Sequence, residues 1–194
     1  MKTGPLVFPL QSVFLALPLE QEAKQTFQNL QHSLLPFAPF LRFQNPATPH
    51  LTLYFWKEVM AIEYRDIERA ARKIATNTAS FSLQCTGVST FRARGKANVL
   101  FMEVAFSEEL ARMKKQCPWP NLQPFAPHIT VARITHPDRF AVERKKVEKA
   151  LYGCSFPIMF NSLRLYAEVD GVKQSPIGKF VFGNVITHGV TPEN

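Results

Sequence analysis

The sequence predicts an α+β fold, a bilobal pseudo-two-fold duplication in which two antiparallel sheets face a central cleft and helices cover the outer faces. Three observations lead there. Pro49-His50-Leu51-Thr52-Leu53 recurs 78 residues later as Pro127-His128-Ile129-Thr130-Val131. The same order of elements surrounds each copy: strand, helix, proline-rich loop, motif strand, helix, strand. Each such unit has too few elements to bury its own sheet face, so the two units must share a core. With 194 residues, 46% of them hydrophobic, the chain can bury one core of substantial size. We therefore expect a single two-lobed domain over residues 1–194, with repeat units of about 11–90 and 97–168 and a final strand at about 178–186.

The elements follow from local pattern. Ser12 to Leu17 is a short apolar run with strand character. Leu19, Ala23, Phe27, Leu30 and Leu34 fall at helical spacing, with Gln, Glu and Lys between them. Pro36, Pro39 and Pro46 break the chain into a loop rich in Phe, and the first motif strand occupies about 50–56. Ile67, Ala70, Ala71 and Ile74 mark a helix over 64–79. Phe81, Leu83 and Cys85 alternate with polar residues in a half-buried strand that ends near Gly87. A basic, turn-like segment, Phe91 to Lys96, leads to a strand over 99–106, and Ser107 starts a short helix that stops before Pro118. A second aromatic loop, with Trp119 and Phe125 among three prolines, precedes the second motif strand at about 127–134. Pro137 opens a helix and Gly153 closes it. Strands near 156–168 and 178–186 follow, joined around Asp170-Gly171, and the tail from Gly189 is expected to be loose.

Composition narrows the function classes. No apolar stretch is long enough to span a membrane, and the N-terminus lacks the apolar core of a signal peptide. Three unpaired cysteines argue against a disulfide framework or a CxxC metal site and fit a reducing cytoplasm. A net charge of +8 favours polyanionic partners, nucleic acid before acidic protein. A monomer is expected.

Strand alternation sets His50 and Thr52 on one face and Leu51 and Leu53 on the other, and the second motif repeats this with His128 and Thr130 against Ile129 and Val131. Two such strands related by a two-fold would bring two imidazoles and two hydroxyls to one cleft. A phosphate between them could receive hydrogen bonds from Thr52 and Thr130. One neutral imidazole could take a proton from the nucleophile while one imidazolium protonates the departing oxygen, since histidine titrates near neutrality. In-line displacement at phosphorus needs those groups on opposite sides. No metal or other cofactor is required, and no third ligand stands at a zinc-like spacing from the two histidines. Arg92, Arg94 and Lys96 are equally readable as an RNA grip and as a solvated loop. Arg42 and Phe43 precede the first motif and can reach the cleft, while Phe43, Trp56, Trp119 and Phe125 offer rings for stacking on bases or for the core. His32, His136 and His188 belong to no motif.

On these residues the chain resembles the two-histidine phosphoesterase superfamily, defined by two His-x-Thr/Ser-x motifs. It is most similar to the bacterial and archaeal 2'-5' RNA ligase branch, also described as RNA 2',3'-cyclic phosphodiesterases. Val13 to Pro18 looks like that branch's opening strand, His50 to Phe55 like its first motif, and Phe125 to Arg133 like its second, trailing arginine included. Thr86-Gly87-Val88, Phe91 and Leu165-Tyr166 also match. Departures are Ser12 in place of an arginine, Phe55-Trp56-Lys57 in place of Phe-Leu-Gly, and no tyrosine after the C-terminal glycine turn. The resemblance implies a hydrolase that opens 2',3'-cyclic phosphate ends of RNA or nucleotides, with His50 as base and His128 as acid, or the reverse, which the pseudo-symmetry equally permits, and with reversible 2'-5' ligation as a companion activity. Alternatives are a non-catalytic RNA-binding module and a phosphodiesterase of 2'-5' oligoadenylate or another small cyclic nucleotide. Arg133 would face away from the two threonines by strand alternation unless a bulge intervenes.

Overall fold

The computed structural model describes residues 5–120 and 124–183. His188, the tail from Gly189 and the end of the last expected strand lie outside them, as does the start of the chain up to Gly4.

The apolar runs become strands and the amphipathic stretches helices, largely where expected. β1 spans Leu10–Pro18 and α1 spans Gln21–Ser33, burying Ala23, Phe27 and Leu30. The proline-broken loop is more ordered than the sequence implies: Leu35–Phe40 form a 3₁₀ turn and Leu41–Phe43 a strand, β2. Three residues are too few to show a periodicity. β3 is His50–Val59, α2 is Ala61–Thr76 and β4 is Phe81–Ala93. β4 runs through Gly87 instead of ending there, and the basic segment is the tip of a hairpin into β5, Lys96–Val104. Arg94 and Gly95, both with positive φ, make the turn. α3, Glu108–Gln116, is capped by Ser107, whose hydroxyl accepts from the Leu110 amide at 3.2 Å. β6 is His128–Ile134 and α4 is Pro137–Ala150. The expected strand at 156–168 is two strands, β7 (Phe156–Phe160) and β8 (Ser162–Val169), because each half joins a different part of the sheet. The final strand, β9, starts earlier than expected and covers Val172–Val181, following the turn at Asp170-Gly171.

The two sheets are the halves of one nine-stranded sheet, in the order β7-β4-β5-β6-β3-β1-β8-β9, with β2 beside β6. Among the described residues the halves pair at a single point, Leu51 opposite Ile129 on β3 and β6. A pseudo-two-fold through that point relates β3 to β6, β1 to β5 and β8 to β4. β4 therefore leaves the first unit to pair with β5 of the second, and β8 leaves the second to pair with β1. Neither half is complete without a strand from the other. One core lies on the Leu51 and Ile129 face, where Phe27, Ile67, Ile74, Met113 and Phe140 from the helices join the buried strand residues. The opposite face of the junction carries the polar motif residues.

Both motif strands carry a β-bulge at the same place. On β3, Ala16 of β1 faces Thr52 and Leu15 faces Tyr54, so Leu53 is the extra residue. On β6, Phe101 of β5 faces Thr130 and Leu100 faces Ala132, so Val131 is the extra residue. A bulge shifts every later side chain to the other face.

Candidate active site

The junction assembles the site. With Leu51 opposite Ile129, antiparallel register sets His50 across from Thr130 and Thr52 across from His128. Each histidine is thus matched with the threonine of the other motif, on the face away from the core. All four side chains are half-buried.

Matching backbone bonds orient the imidazoles. His50 Nδ1 lies 2.7 Å from the Thr48 carbonyl, and His128 Nδ1 lies 2.8 Å from the Ala126 carbonyl. Both carbonyls belong to the residue before the motif proline. A carbonyl only accepts, so each Nδ1 carries the hydrogen and each neutral ring keeps its lone pair on Nε2.

The surroundings of the two rings differ. Phe14 stacks on His50, with centroids 4.6 Å apart, and the fully buried Tyr166 backs Phe14 at 4.9 Å. Burial pushes the His50 pKa down to about 4; the Thr48 carbonyl opposes this and the nearby His128 charge adds to it. His50 is consequently neutral at physiological pH. His128 instead meets ring edges, Phe91 at 4.8 Å and Phe101 at 5.5 Å, and opens onto a cavity of about 580 Å³.

The bulges decide what surrounds the four. Beyond Val131, Arg133 pairs with Val99 on the cleft face and is exposed. The condition under which Arg133 could reach the cleft is met. Arg42 of β2 sits opposite Arg133 and shares its face. Among the described residues neither arginine is in an ion pair. The equivalent position beyond Leu53 is Phe55, 56% exposed and opposite Phe14. Phe125 lines the cavity with Thr52, His128, Arg92 and Lys114. The structure does not bring Trp56 and Phe43 to this group. Trp56 faces the core side opposite Val13 and packs against Trp119 at 4.7 Å and Tyr54 at 4.6 Å. Phe43 packs against the core. Lys96 is held by Asp138 at 2.8 Å. The sequence singles out Phe14 and Phe91 only as part of the family resemblance, and nothing in it marks Phe101 and Lys114 as site residues. Phe101 is hidden among seventeen phenylalanines, and Lys114 in a Lys-Lys pair. Among the described residues no three His, Cys, Asp or Glu side chains gather as a ligand set, and no helix is long and apolar enough to cross a membrane.

The described residues thus form a pseudo-two-fold sheet whose two halves each give a His and a Thr to one cleft. Comparison with known proteins finds similarity to one family over part of the chain. Residues 17–101 match the family described as LigT-like phosphoesterase. A curated RNA 2',3'-cyclic phosphodiesterase of Geobacillus stearothermophilus is 29% identical over 128 residues, covering 62% of this chain and 41% of that protein. Another, of Bacillus subtilis strain 168, is 26% identical over 129 residues, covering 62% and 69%. The chain thus spans about two fifths of the length of the Geobacillus relative. Among solved structures, a Thermus thermophilus protein superposes with a TM-score of 0.69 at 22% identity, covering 90% of this chain and all of that one. Escherichia coli LigT in complex with 3'-AMP gives 0.65 at 18% identity, covering 89% and 98%. Together these likenesses support a place for the chain among the LigT-like two-histidine phosphoesterases.

Proposed function

We propose that the protein is a metal-independent phosphodiesterase that opens 2',3'-cyclic phosphate ends of RNA or nucleotides to 2'-phosphates. The single observation that carries this reading is the diagonal His-Thr arrangement with one histidine held neutral. Water loses a proton to Nε2 of His50 as its oxygen attacks phosphorus. The bond from phosphorus to the 3' oxygen breaks, and His128 gives that oxygen a proton. Thr52 and Thr130 donate hydrogen bonds to the non-bridging oxygens. The two histidines then return to their starting protonation through solvent. With a 5'-hydroxyl in place of water the same steps form a 2'-5' linkage, and their reversal cleaves it.

The depressed pKa of His50 supports its role as base, since a base must be unprotonated before it acts. Arg133 and Arg42, side by side beyond Thr130, are suited to a flanking RNA phosphate, and Phe55 and Phe125 at the other end to a base. The net charge of +8 fits a polyanionic substrate. The names of the two curated relatives point to the same substrate. We take the protein as a cytoplasmic monomer: its three cysteines are free, as suits a reducing compartment, and one chain supplies both motif strands of the cleft. Incubation with a nucleoside 2',3'-cyclic phosphate in EDTA, from about pH 5 to 8, tests the activity. A 2'-phosphate is the expected product; no turnover anywhere in that range would sink the proposal.

A further inference from the structure

The two halves of the sheet solve one problem in two ways. Each bulge takes a carbonyl out of the pairing with the adjacent strand, that of Leu53 on β3 away from β1 and that of Val131 on β6 away from β5, and the Val131 carbonyl accepts from the Gln44 amide at 2.9 Å. Buried carbonyls need donors, and in each case a helix supplies a side chain. Nε2 of Gln31 on α1 donates to Val131 at 3.0 Å. Nζ of Lys114 on α3 donates to Leu53 at 2.8 Å. Gln31 and Lys114 occupy equivalent places, and both are more than nine-tenths buried.

Beside the Gln44 backbone amide, a neutral side chain is enough to hold the bulge at Val131. Lys114 does the same work with a charge, and a buried ammonium is costly to desolvate. Burial holds its pKa below the ordinary lysine value. Among the described residues no carboxylate pairs with it. Instead the ammonium lies over two rings, 5.2 Å from the centre of Tyr54 and 5.1 Å from that of Phe125, a cation–π arrangement that keeps the charge without cancelling it. The charge is surplus to the fold, and it stands in the wall of the 580 Å³ cavity onto which Thr52 and His128 open. An ammonium has three hydrogens, and Leu53 uses one.

We propose that Lys114 is a further substrate-binding residue, whose ammonium draws the anionic phosphoryl group into the cavity it shares with Thr52 and His128. The Leu53 bond anchors the side chain, and the two rings let it remain charged. The pseudo-symmetric position shows what a purely structural residue looks like there, which is Gln31. This inference rests on the proposed reaction for the identity of its ligand, a phosphoester, but its test does not depend on turnover.

Lys114→Gln installs the residue that the other half uses. Calorimetric titration with inorganic phosphate at low ionic strength is the readout, beside thermal melting of the same samples. K114Q is expected to melt within about 4 °C of the parent, a shift of no more than about 1–2 kcal/mol for a chain of this size, and to bind phosphate about tenfold more weakly, as for loss of one charge-assisted contact. Lys114→Arg keeps the charge and is expected to hold phosphate within about threefold of the parent. On a nucleoside 2',3'-cyclic phosphate the loss in K114Q should fall on KM more than on kcat. Undiminished phosphate binding by K114Q would overturn the proposal, and so would K114R losing as much as a K114Q that folds. If phosphate binding depends on Lys114 but no cyclic phosphate is turned over, the proposed reaction fails and the Lys114 site stands. If cyclic phosphate is turned over and K114Q binds phosphate as the parent does, the reaction stands and the site fails.

Discussion

The two motif strands share a string, a bulge and a histidine tied to the carbonyl two residues upstream, yet their surroundings have diverged. The His50 half is closed: Phe14 and Tyr166 stack behind the ring and burial keeps it neutral. The His128 half is open, with ring edges against the imidazole and the cavity in front of it. The residues just past the bulges differ as well, Arg133 on one side and Phe55 on the other. In the proposed reaction, symmetry in the backbone supplies a matched pair of acid–base groups, and asymmetry in the packing gives them different roles; the same asymmetry gives the cleft two different ends.

The largest expected effects come from removing either member of the pair. His50→Ala and His128→Ala should each lower turnover of a cyclic nucleotide by about 10²–10⁴-fold, the usual contribution of a positioned acid or base, with far-UV circular dichroism unchanged. Near-parental rates in either variant would refute the assignment. The next effect concerns pH. Because His50 stays neutral down to about pH 4, the acid limb of kcat/KM should fall well below histidine's ordinary value of about 6.5. Phe14→Ala uncovers the ring and should move that limb upward. An acid limb near 6.5 in the parent would remove the distinction between the halves. Stability follows the same linkage. Above about pH 6.5 neither state of the chain protonates this ring; between about 6.5 and 4 only the unfolded state does, so stability falls as pH drops and levels off below about 4, by an amount on the order of 3 kcal/mol if the full shift is realised. Phe14→Ala should flatten that slope in urea titrations run across the range.

Much of the site is legible in the sequence alone. The doubled Pro-His-x-Thr string marks the cleft and its four polar residues, because a matched polar pair repeated on period-two strands seldom arises from core packing. The helices are legible from apolar spacing, and the turn at Asp170-Gly171 from its chemistry. What stays hidden depends on contacts between segments far apart in the chain. Nothing local in Thr52-Leu53-Tyr54 or Thr130-Val131-Ala132 announces a bulge, so the sequence states the face of Arg133 only conditionally. β2 is too short to show a pattern, and without it Arg42 has no fixed place opposite Arg133. The split between β7 and β8 comes from their different partners across the sheet. Trp56, a base-stacking candidate by sequence, turns to the core side through the same bulge that exposes Phe55.

Smaller effects probe the two ends of the cleft. Arg133→Ala and Arg42→Ala should weaken binding of an RNA oligonucleotide and each lower the salt slope of log K by about one. Phe55→Ala should weaken binding with little change in that slope, since stacking carries no counterion release. Fluorescence anisotropy across a salt series separates the two. Equal slopes in R133A and the parent would mean that the arginine beyond the bulge touches no phosphate.

The smallest effect on turnover is expected at Gln31, where the comparison between halves is purely structural. Its amide donates to Val131 and also to Gln44, at 3.0 and 2.9 Å. The Val131 carbonyl keeps a second donor, the Gln44 amide at 2.9 Å, so Gln31→Leu leaves mainly the Gln44 carbonyl short of a partner. One under-satisfied buried acceptor costs about 1–3 kcal/mol, which for a domain of this size lowers the melting temperature by about 2–4 °C per kcal/mol. Phosphate affinity should follow the parent once the protein is folded, because Gln31 contributes no charge to the cleft. A Q31L variant that loses phosphate binding as K114Q is expected to would mean that the bulges, rather than the ammonium, set affinity, and the two halves would then differ less than their side chains imply.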